Sequence, residues 1–279
     1  MNCQPLHLVT GYQTRDGAGV KLVRVLSRNT VKAFDPFLML DSFDSENPSD
    51  YIAGFPFHPH RGIETISYIY RGQMLHQDSL GNKDLIHDGE VQWMTAGSGI
   101  MHAEKLPASE RMLGVQLWLN LAKKDKMVQP AYHAIKAGDI EEIPLIGGKL
   151  RLLAGKYLDY VGYQSNYQPL DYYDVHLQAN QTFGLDVDAK RSIMLFTLVG
   201  EIMLNDQVIK EKTAVKLSAG DRVEFSSLDR PVQVLYISSC ALNESVAWGG
   251  PIVMNTKEEL YQAFDELEKE TFLRDKIAY

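Results

Sequence analysis

The strongest constraint on this chain is a β unit written twice. Residues 67–78 read SYIYRGQMLHQD, and HDGEVQWM follows at 87–94. Residues 195–206 read LFTLVGEIMLND, and SAGDRVEF follows at 218–225. In each copy a hydrophobic run ends in Gly-polar-apolar, a hairpin follows, and a Gly-acidic turn precedes a further run. Gly72 and Gly89 stand 17 positions apart, and Gly200 and Gly220 stand 20 apart. Two such units in one chain read as a tandem duplication. The turn-rich segment KAGDIEEIPLIGG, Lys136 to Gly148, is the expected linker. The expected domains are therefore residues 1–135 and 136–279.

The rest of the chain fits an all-β class. KLVRVLS, TISYIYRG, EVQWMTAG, GVQLWLNL, KLRLLAG, IMLFTLVG, DRVEFSS and VQVLYIS are short runs rich in β-branched, aromatic and other apolar residues. Gly, Asp, Asn and Pro turns separate them, which is the pattern of a barrel or sandwich. Between Gly19 and Gly250 no long amphipathic helix is written, and PASERM and AKKDKM make a helical turn at most. Near the end, NTKEELYQAFDELEKE predicts one helix. Thr256 and Glu259 have capping-box spacing. Leu260, Phe264 and Leu267 form an apolar stripe suited to docking on a sheet.

Composition narrows the partners. The formal charge is −8, from 36 acids against 28 bases, and no basic run exceeds Lys123-Lys124. Phosphate neutralisation needs clustered cations, so direct nucleic-acid binding is not expected. The start of the chain shows no cationic leader followed by an apolar segment. The longest apolar run, around IMLFTLV, is too short to span a bilayer. Cys3 and Cys240, at opposite ends, read as free thiols in a reducing compartment. The expectation is a cytoplasmic protein with no membrane partner.

Two phrases carry the chemistry, GFPFHPHRGIETISY from Gly54 and GSGIMHAE ending at Glu104. Residues two apart on a strand face one side, so His58 and His60 aim their imidazoles together, as His102 and Glu104 aim an imidazole and a carboxylate. If the strands are neighbours, three nitrogens and one oxygen converge. That donor set suits a divalent transition metal with open positions, the pattern of non-haem Fe(II) oxygenases. Without thiolates it does not resemble a structural zinc site. A lone inward histidine is more often a hydrogen-bonded structural residue, but two such pairs beside glycines favour a metal. Glu64 competes with Glu104 for the carboxylate position, because even spacing from His60 keeps it on the inner face.

These residues resemble known families. H-x-H followed by three residues and then Glu is similar to the first cupin motif, and GEVQWMTAGSGIMH to the second. The second departs in placing Thr95 where proline is typical and its histidine slightly late. FDPFLMLDSF, FHPHRGIETISY, QWMTAGSGIMHAE, GVQLWLNL and WGGPIVMNTKEE, in order from Phe34 to Glu259, together resemble the pirin family. The resemblance implies two tandem cupin barrels of the double-stranded β-helix or jelly-roll type, with a C-terminal α-helix. It implies His58, His60, His102 and Glu104 as metal ligands, and leaves Glu64 to a supporting hydrogen bond. After His176 there is no histidine, so the second barrel is expected to be metal-free and His176 structural.

Phe55, Phe57, Trp93, Met101 and Trp118 are candidates, with Glu64, for a substrate pocket over the metal. Phe55 and Phe57 have odd spacing from His58, so only an irregular entry through Pro56 brings them near. LMLDSF, with Asp41 and Phe43, either closes the mouth or is a plain strand and turn. His76 and His87 are expected in a loop or at the surface, and His133 near the linker.

By resemblance the activity is that of a quercetin 2,3-dioxygenase. It would cleave a flavonol with O₂ and release carbon monoxide, with Glu104 as the catalytic carboxylate. Fe(II) is the expected metal, with Zn, Ni, Mn, Co or Cu as alternatives on purification. The same family also implies an iron-dependent regulatory protein that binds a transcription factor or metabolic enzyme. Two barrels in one chain that cover each other's apolar faces make a monomer the expected state.

Overall fold

The short runs pair into sheets because their turns bring each beside its neighbour. The computed structural model describes residues 1–274. The chain divides into two compact units, each discontinuous in sequence. One holds Met1–Tyr12, Lys32–Pro36 and Gly138–Ala241; the other holds Gln13–Val31, Phe37–Ala137 and the chain from Leu242 onward.

The unit that begins at Gln13 contains a seven-stranded and a four-stranded antiparallel sheet. The larger runs Ala131–Ile135, Glu90–Thr95, Ile63–Arg71, Met112–Asn120, Phe37–Ser45, Val20–Leu26, Tyr12–Asp16. The smaller runs Phe55–His60, Ile100–Lys105, Met74–Asp78, Lys83–Ile86. The strand Met112–Asn120 is buried along its whole length, so its apolar side chains and Gln116 all face protein. LMLDSF lies within the inner strand Phe37–Ser45, with Phe43 in the core and Asp41 held by Arg24 at 2.9 and 2.7 Å. It is a strand rather than a closing loop.

The other unit repeats the pattern with a seven-stranded sheet, Pro5–Thr10, Thr213–Leu217, Arg191–Val199, Val232–Cys240, Leu170–Leu177, Gly148–Ala154, Glu141–Leu145. Its four-stranded sheet is Thr182–Asp186, Arg222–Ser227, Ile202–Leu204, Gln207–Ile209. Its core is apolar, built from residues such as Leu150, Val175, Leu195, Val215, Phe225 and Val234. His176 is half-buried there and donates to Asp174 at 2.8 Å.

All eight apolar runs lie on strands, and among the described residues no helix is long and apolar enough to cross a membrane. Among the described residues the single long helix spans Lys257–Glu268. Thr256 Oγ1 accepts from the Glu259 amide at 3.2 Å, and Glu259 Oε2 accepts from the Thr256 amide at 3.0 Å, satisfying amides that a helix start leaves open. Its inner stripe is Leu260, Ala263 and Leu267, while Phe264 lies half out. The strands Ala247–Gly249 and Ile252–Met254 meet the face centred on Ala263, which rotates Phe264 toward the rim.

This C-terminal segment is fastened by buried cations. Arg61 is 2% exposed. It donates to Ser98 O at 2.7 Å and Phe272 O at 2.9 Å, pairs with Glu266 at 2.7 Å, and stacks 4.1 Å from the Phe272 ring centre. Lys126 donates to Gly62 O, Asn120 Oδ1 and Val253 O at 2.8, 2.6 and 3.0 Å, while burial pushes its ammonium down to about 7. Removing one member of a buried ionic cluster strands the others, at roughly 3–5 kcal/mol. Arg61→Ala is therefore expected to lower the unfolding free energy by that amount, moving the urea midpoint down accordingly, and to speed amide exchange in the 257–268 helix. An unchanged midpoint and unchanged exchange would show that the helix is held by its apolar stripe alone.

Candidate metal centre

The centre is built where two edge-proximal strands pair. Phe55–His60 runs antiparallel to Ile100–Lys105, with His58 opposite His102 and His60 opposite Ile100. The register shifts between His102 and Glu104, so Glu104 lies opposite Phe55. Two glycines let the C-terminal segment close over these strands. At Gly62 (φ +77°) a Cβ would stand 2.0 Å from Val253 O, and at Gly99 (φ +140°) 2.9 Å from the Phe272 ring.

Three imidazoles converge, their ligand-capable atoms within 4.8 Å of one another. His58 Nε2 lies 3.0 Å from both His60 Nε2 and His102 Nε2. Their other nitrogens assign the protons. His58 Nδ1 faces Pro56 O at 2.7 Å and His60 Nδ1 faces Pro251 O at 3.0 Å, and a carbonyl can only accept. Asp78 accepts from His76 Nε2 at 2.8 Å, which leaves His76 Nδ1 to accept from His102 Nδ1 at 3.4 Å. With the Nδ1 protons so placed, all three Nε2 atoms present lone pairs to one point. Bare lone pairs at 3.0 Å repel unless a cation stands between them.

A proton is disfavoured on two of the three rings, His60 and His102. Burial, then the charge of His58, holds His60 well below the ordinary imidazole range, against a raising bond from Pro251 O. Burial, then the charges of His60, His58 and His76, does the same to His102. His60 and His102 are each 1% exposed, and His58 is half-buried. Trp118 covers His60 edge-on, centroids 5.0 Å apart. Neutral nitrogen donors fixed in this way fit a divalent transition metal.

Glu104 is fully buried, though its oxygens are not among the atoms of the three-histidine cluster. Oε1 accepts from Gln92 Nε2 at 2.5 Å and Gln116 Nε2 at 3.0 Å, and Oε2 from Gln116 Nε2 at 3.0 Å. Desolvating a carboxylate costs several kcal/mol, and charge-assisted bonds return roughly 1.5–3 kcal/mol each. The two amides thus hold a carboxylate at this depth. Gln116 is oriented in turn by Trp118 Nε1, which donates to its Oε1 at 3.3 Å.

Glu64 accepts from Trp93 Nε1 at 3.0 Å and Thr95 Oγ1 at 2.7 Å, so Glu64 and Trp93 are a bonded pair in the interior. Phe55 packs on Phe43, centroids 6.3 Å apart, against the core. Phe57 is exposed and Met101 half-buried. His87 and His133 are exposed, His133 on the strand Ala131–Ile135. His76 is not in a surface loop: it is fully buried on Met74–Asp78, where period-two alternation turns His76 and Asp78 inward together. Its ring stacks on Tyr132, 4.2 Å and 15° apart. Burial works against ionisation of Asp78, yet hydrogen bonds from His76 and Asn82 hold its carboxyl below the usual range. The MLHQD alternation was the available signal for this pair. Gln92, Gln116 and Pro251 carried none.

Two barrels of one sheet pattern, with converging imidazoles in one and no histidine on the matching strands Thr182–Asp186 and Arg222–Ser227 of the other, define a bicupin protein. The family profile for pirin matches residues 19–119, and that for the pirin C-terminal cupin domain matches residues 172–273. The chain belongs to the pirin family. It is 38% identical over 272 residues to a pirin-like protein of Caulobacter vibrioides, covering 96% of this chain and 98% of that one. It is 34% identical over 262 residues to human pirin, covering 91% of this chain and 89% of that one. Among solved structures, a quercetin 2,3-dioxygenase from Acinetobacter baumannii superposes with a TM-score of 0.90 at 32% identity, covering 98% and 99% of the two chains.

Burial raises the Glu64 carboxyl from 4.5 to about 7, against lowering bonds from Trp93 and Thr95. A raised carboxyl contributes stability that is full below the unfolded value and lost as pH rises through the folded one. Relative to Glu64→Gln, the wild-type protein should lose on the order of 3 kcal/mol between about pH 4.5 and 7, then level off. Parallel stability curves for the two proteins across that window would contradict this.

Proposed function

We propose that His58, His60, His102 and Glu104 hold one divalent metal, Fe(II) in the cell, and that the protein is a dioxygenase acting on flavonols such as quercetin. The observation that carries the metal is the convergence of three Nε2 atoms whose protons are all committed elsewhere. The likeness to a solved quercetin 2,3-dioxygenase supports the substrate class. By the Irving–Williams order, Zn, Ni, Mn, Co or Cu can occupy the site when Fe(II) is scarce.

Held by these residues, a metal would supply Lewis acidity toward the flavonol 3-hydroxyl. The chain's own residues do the rest. Glu104 takes the hydroxyl proton on Oε2, which carries one amide donor against two on Oε1. Gln92 and Gln116 keep that carboxylate aimed while it changes charge. His60 and His102 are sealed from water, whereas His58 is half-buried. Substrate therefore enters on the His58 side, with exposed Phe57 and half-buried Met101 near that entrance.

Anaerobic reconstitution with Fe(II), followed by O₂ and quercetin, tests the reading. Flavonol loss with matching release of carbon monoxide is expected, abolished in His102→Ala. Glu104→Gln should weaken metal binding and, once loaded to stoichiometry, slow turnover by roughly 10²-fold or more. Stoichiometric metal without flavonol loss would sink the dioxygenase and leave the metal-dependent interaction protein that the same resemblance implies.

A further inference from the structure

We propose that His76 and Asp78 are positioning residues for His102, fixing its tautomer and making it the most strongly donating of the three imidazoles. The inference rests on reading those imidazoles as metal ligands. His58 and His60 give their Nδ1–H to peptide carbonyls, those of Pro56 and Pro251. His102 gives its own to a second imidazole, which in turn donates to a carboxylate. The three rings therefore differ in what stands behind them: two neutral dipoles and one charge-backed relay. Polarisation along a hydrogen-bonded chain strengthens each link, most of all where water is excluded. His76 and the Asp78 carboxyl are both fully buried.

The ladder fixes the relay in space. In the pairing of Ile100–Lys105 with Met74–Asp78, His102 lies opposite Asp78 and Glu104 opposite His76. The three side chains thus run across one strand pair. Tyr132 stacked on His76 sets that ring's plane, and its hydroxyl reaches Asp84 Oδ2 at 3.4 Å. Asp78 Oδ1 accepts from the Leu80 and Asn82 amides at 2.9 and 3.0 Å, and Oδ2 accepts from Asn82 Nδ2 at 2.9 Å. The carboxylate is held by its own turn and cannot swing away from His76. If His76 lost its acceptor, its proton would sit on Nδ1, facing His102 Nδ1. The His102 proton would then sit on Nε2, the nitrogen the metal needs. A structural ion pair would not link Asp78 to the proton position on His102, and the relay does.

The test uses the full-length chain freed of metal by chelation, labelled with ¹⁵N-histidine, and then titrated with Co(II). Long-range proton–nitrogen NMR reads each tautomer before metal is added. Wild type is expected to carry the His102 proton on Nδ1. Asp78→Asn, which keeps a side-chain oxygen for the turn amides, is expected to move it to Nε2 and weaken Co(II) binding by roughly 10–100-fold. His76→Gln, whose amide oxygen can accept from His102 Nδ1, should restore the tautomer and most of the affinity, while His76→Leu should not. These two variants carry the test if Asp78→Asn fails to fold. The proposal is overturned if His102 keeps its proton on Nδ1 and its Co(II) affinity in Asp78→Asn or, where that variant does not fold, in His76→Leu. If wild type takes up no Co(II), the metal reading fails, and that result is distinct because the tautomers are read without metal.

Discussion

Everything near the centre depends on holding three unprotonated imidazole nitrogens where they repel one another. His58 Nε2 stands 3.0 Å from two others, and burial disfavours a proton on His60 and His102. An arrangement of this kind does not persist through its own attraction. It is imposed by what lies behind the rings: two peptide carbonyls, one imidazole–carboxylate pair, and a strand register that sets His58 against His102. The cost of imposing it is met by the surrounding β core. The cation that relieves the repulsion then becomes the reason for the site.

The imposition reaches far along the chain. His60 is oriented by Pro251, 191 residues away, and the next residue, Arg61, grips Glu266 and Phe272. Lys126 ties Gly62 to Val253. The last segment, written after the second β unit, thus supplies the outer layer of the first unit's centre. Linkage makes this reciprocal: whatever strengthens docking of the segment strengthens the ligand geometry, and bound metal strengthens docking in return. The glycines at 62 and 99 are the steric condition for it, since a side chain at either would meet Val253 or Phe272.

Much of this was legible in the sequence, and the reason is periodicity. Strand pattern, duplication and terminal helix follow from apolar spacing and turn residues. The two phrases around His58 and His102 announce themselves because period-two spacing predicts that both members of each pair share a face, although the register shift before Glu104 leaves its oxygens outside the three-histidine cluster. His76 and Asp78 had the same spacing but read as a hairpin, because their meaning depends on which strand lies alongside. Gln92 and Gln116 were illegible for a sharper reason: a glutamine on a strand becomes a carboxylate clamp only when tertiary pairing brings Glu104 within reach. Phe264 shows the same limit on the helix. Spacing predicts a stripe, but the neighbouring strands decide its centre, and they chose Ala263.

The most direct measurement is X-ray absorption at the metal edge of the Fe(II)-loaded protein. The account predicts a first shell with three imidazole nitrogens at about 2.0–2.2 Å, their outer-ring scattering visible, joined by carboxylate oxygen. A shell of oxygen or sulfur without imidazole scattering would contradict it, whatever activity the protein displayed.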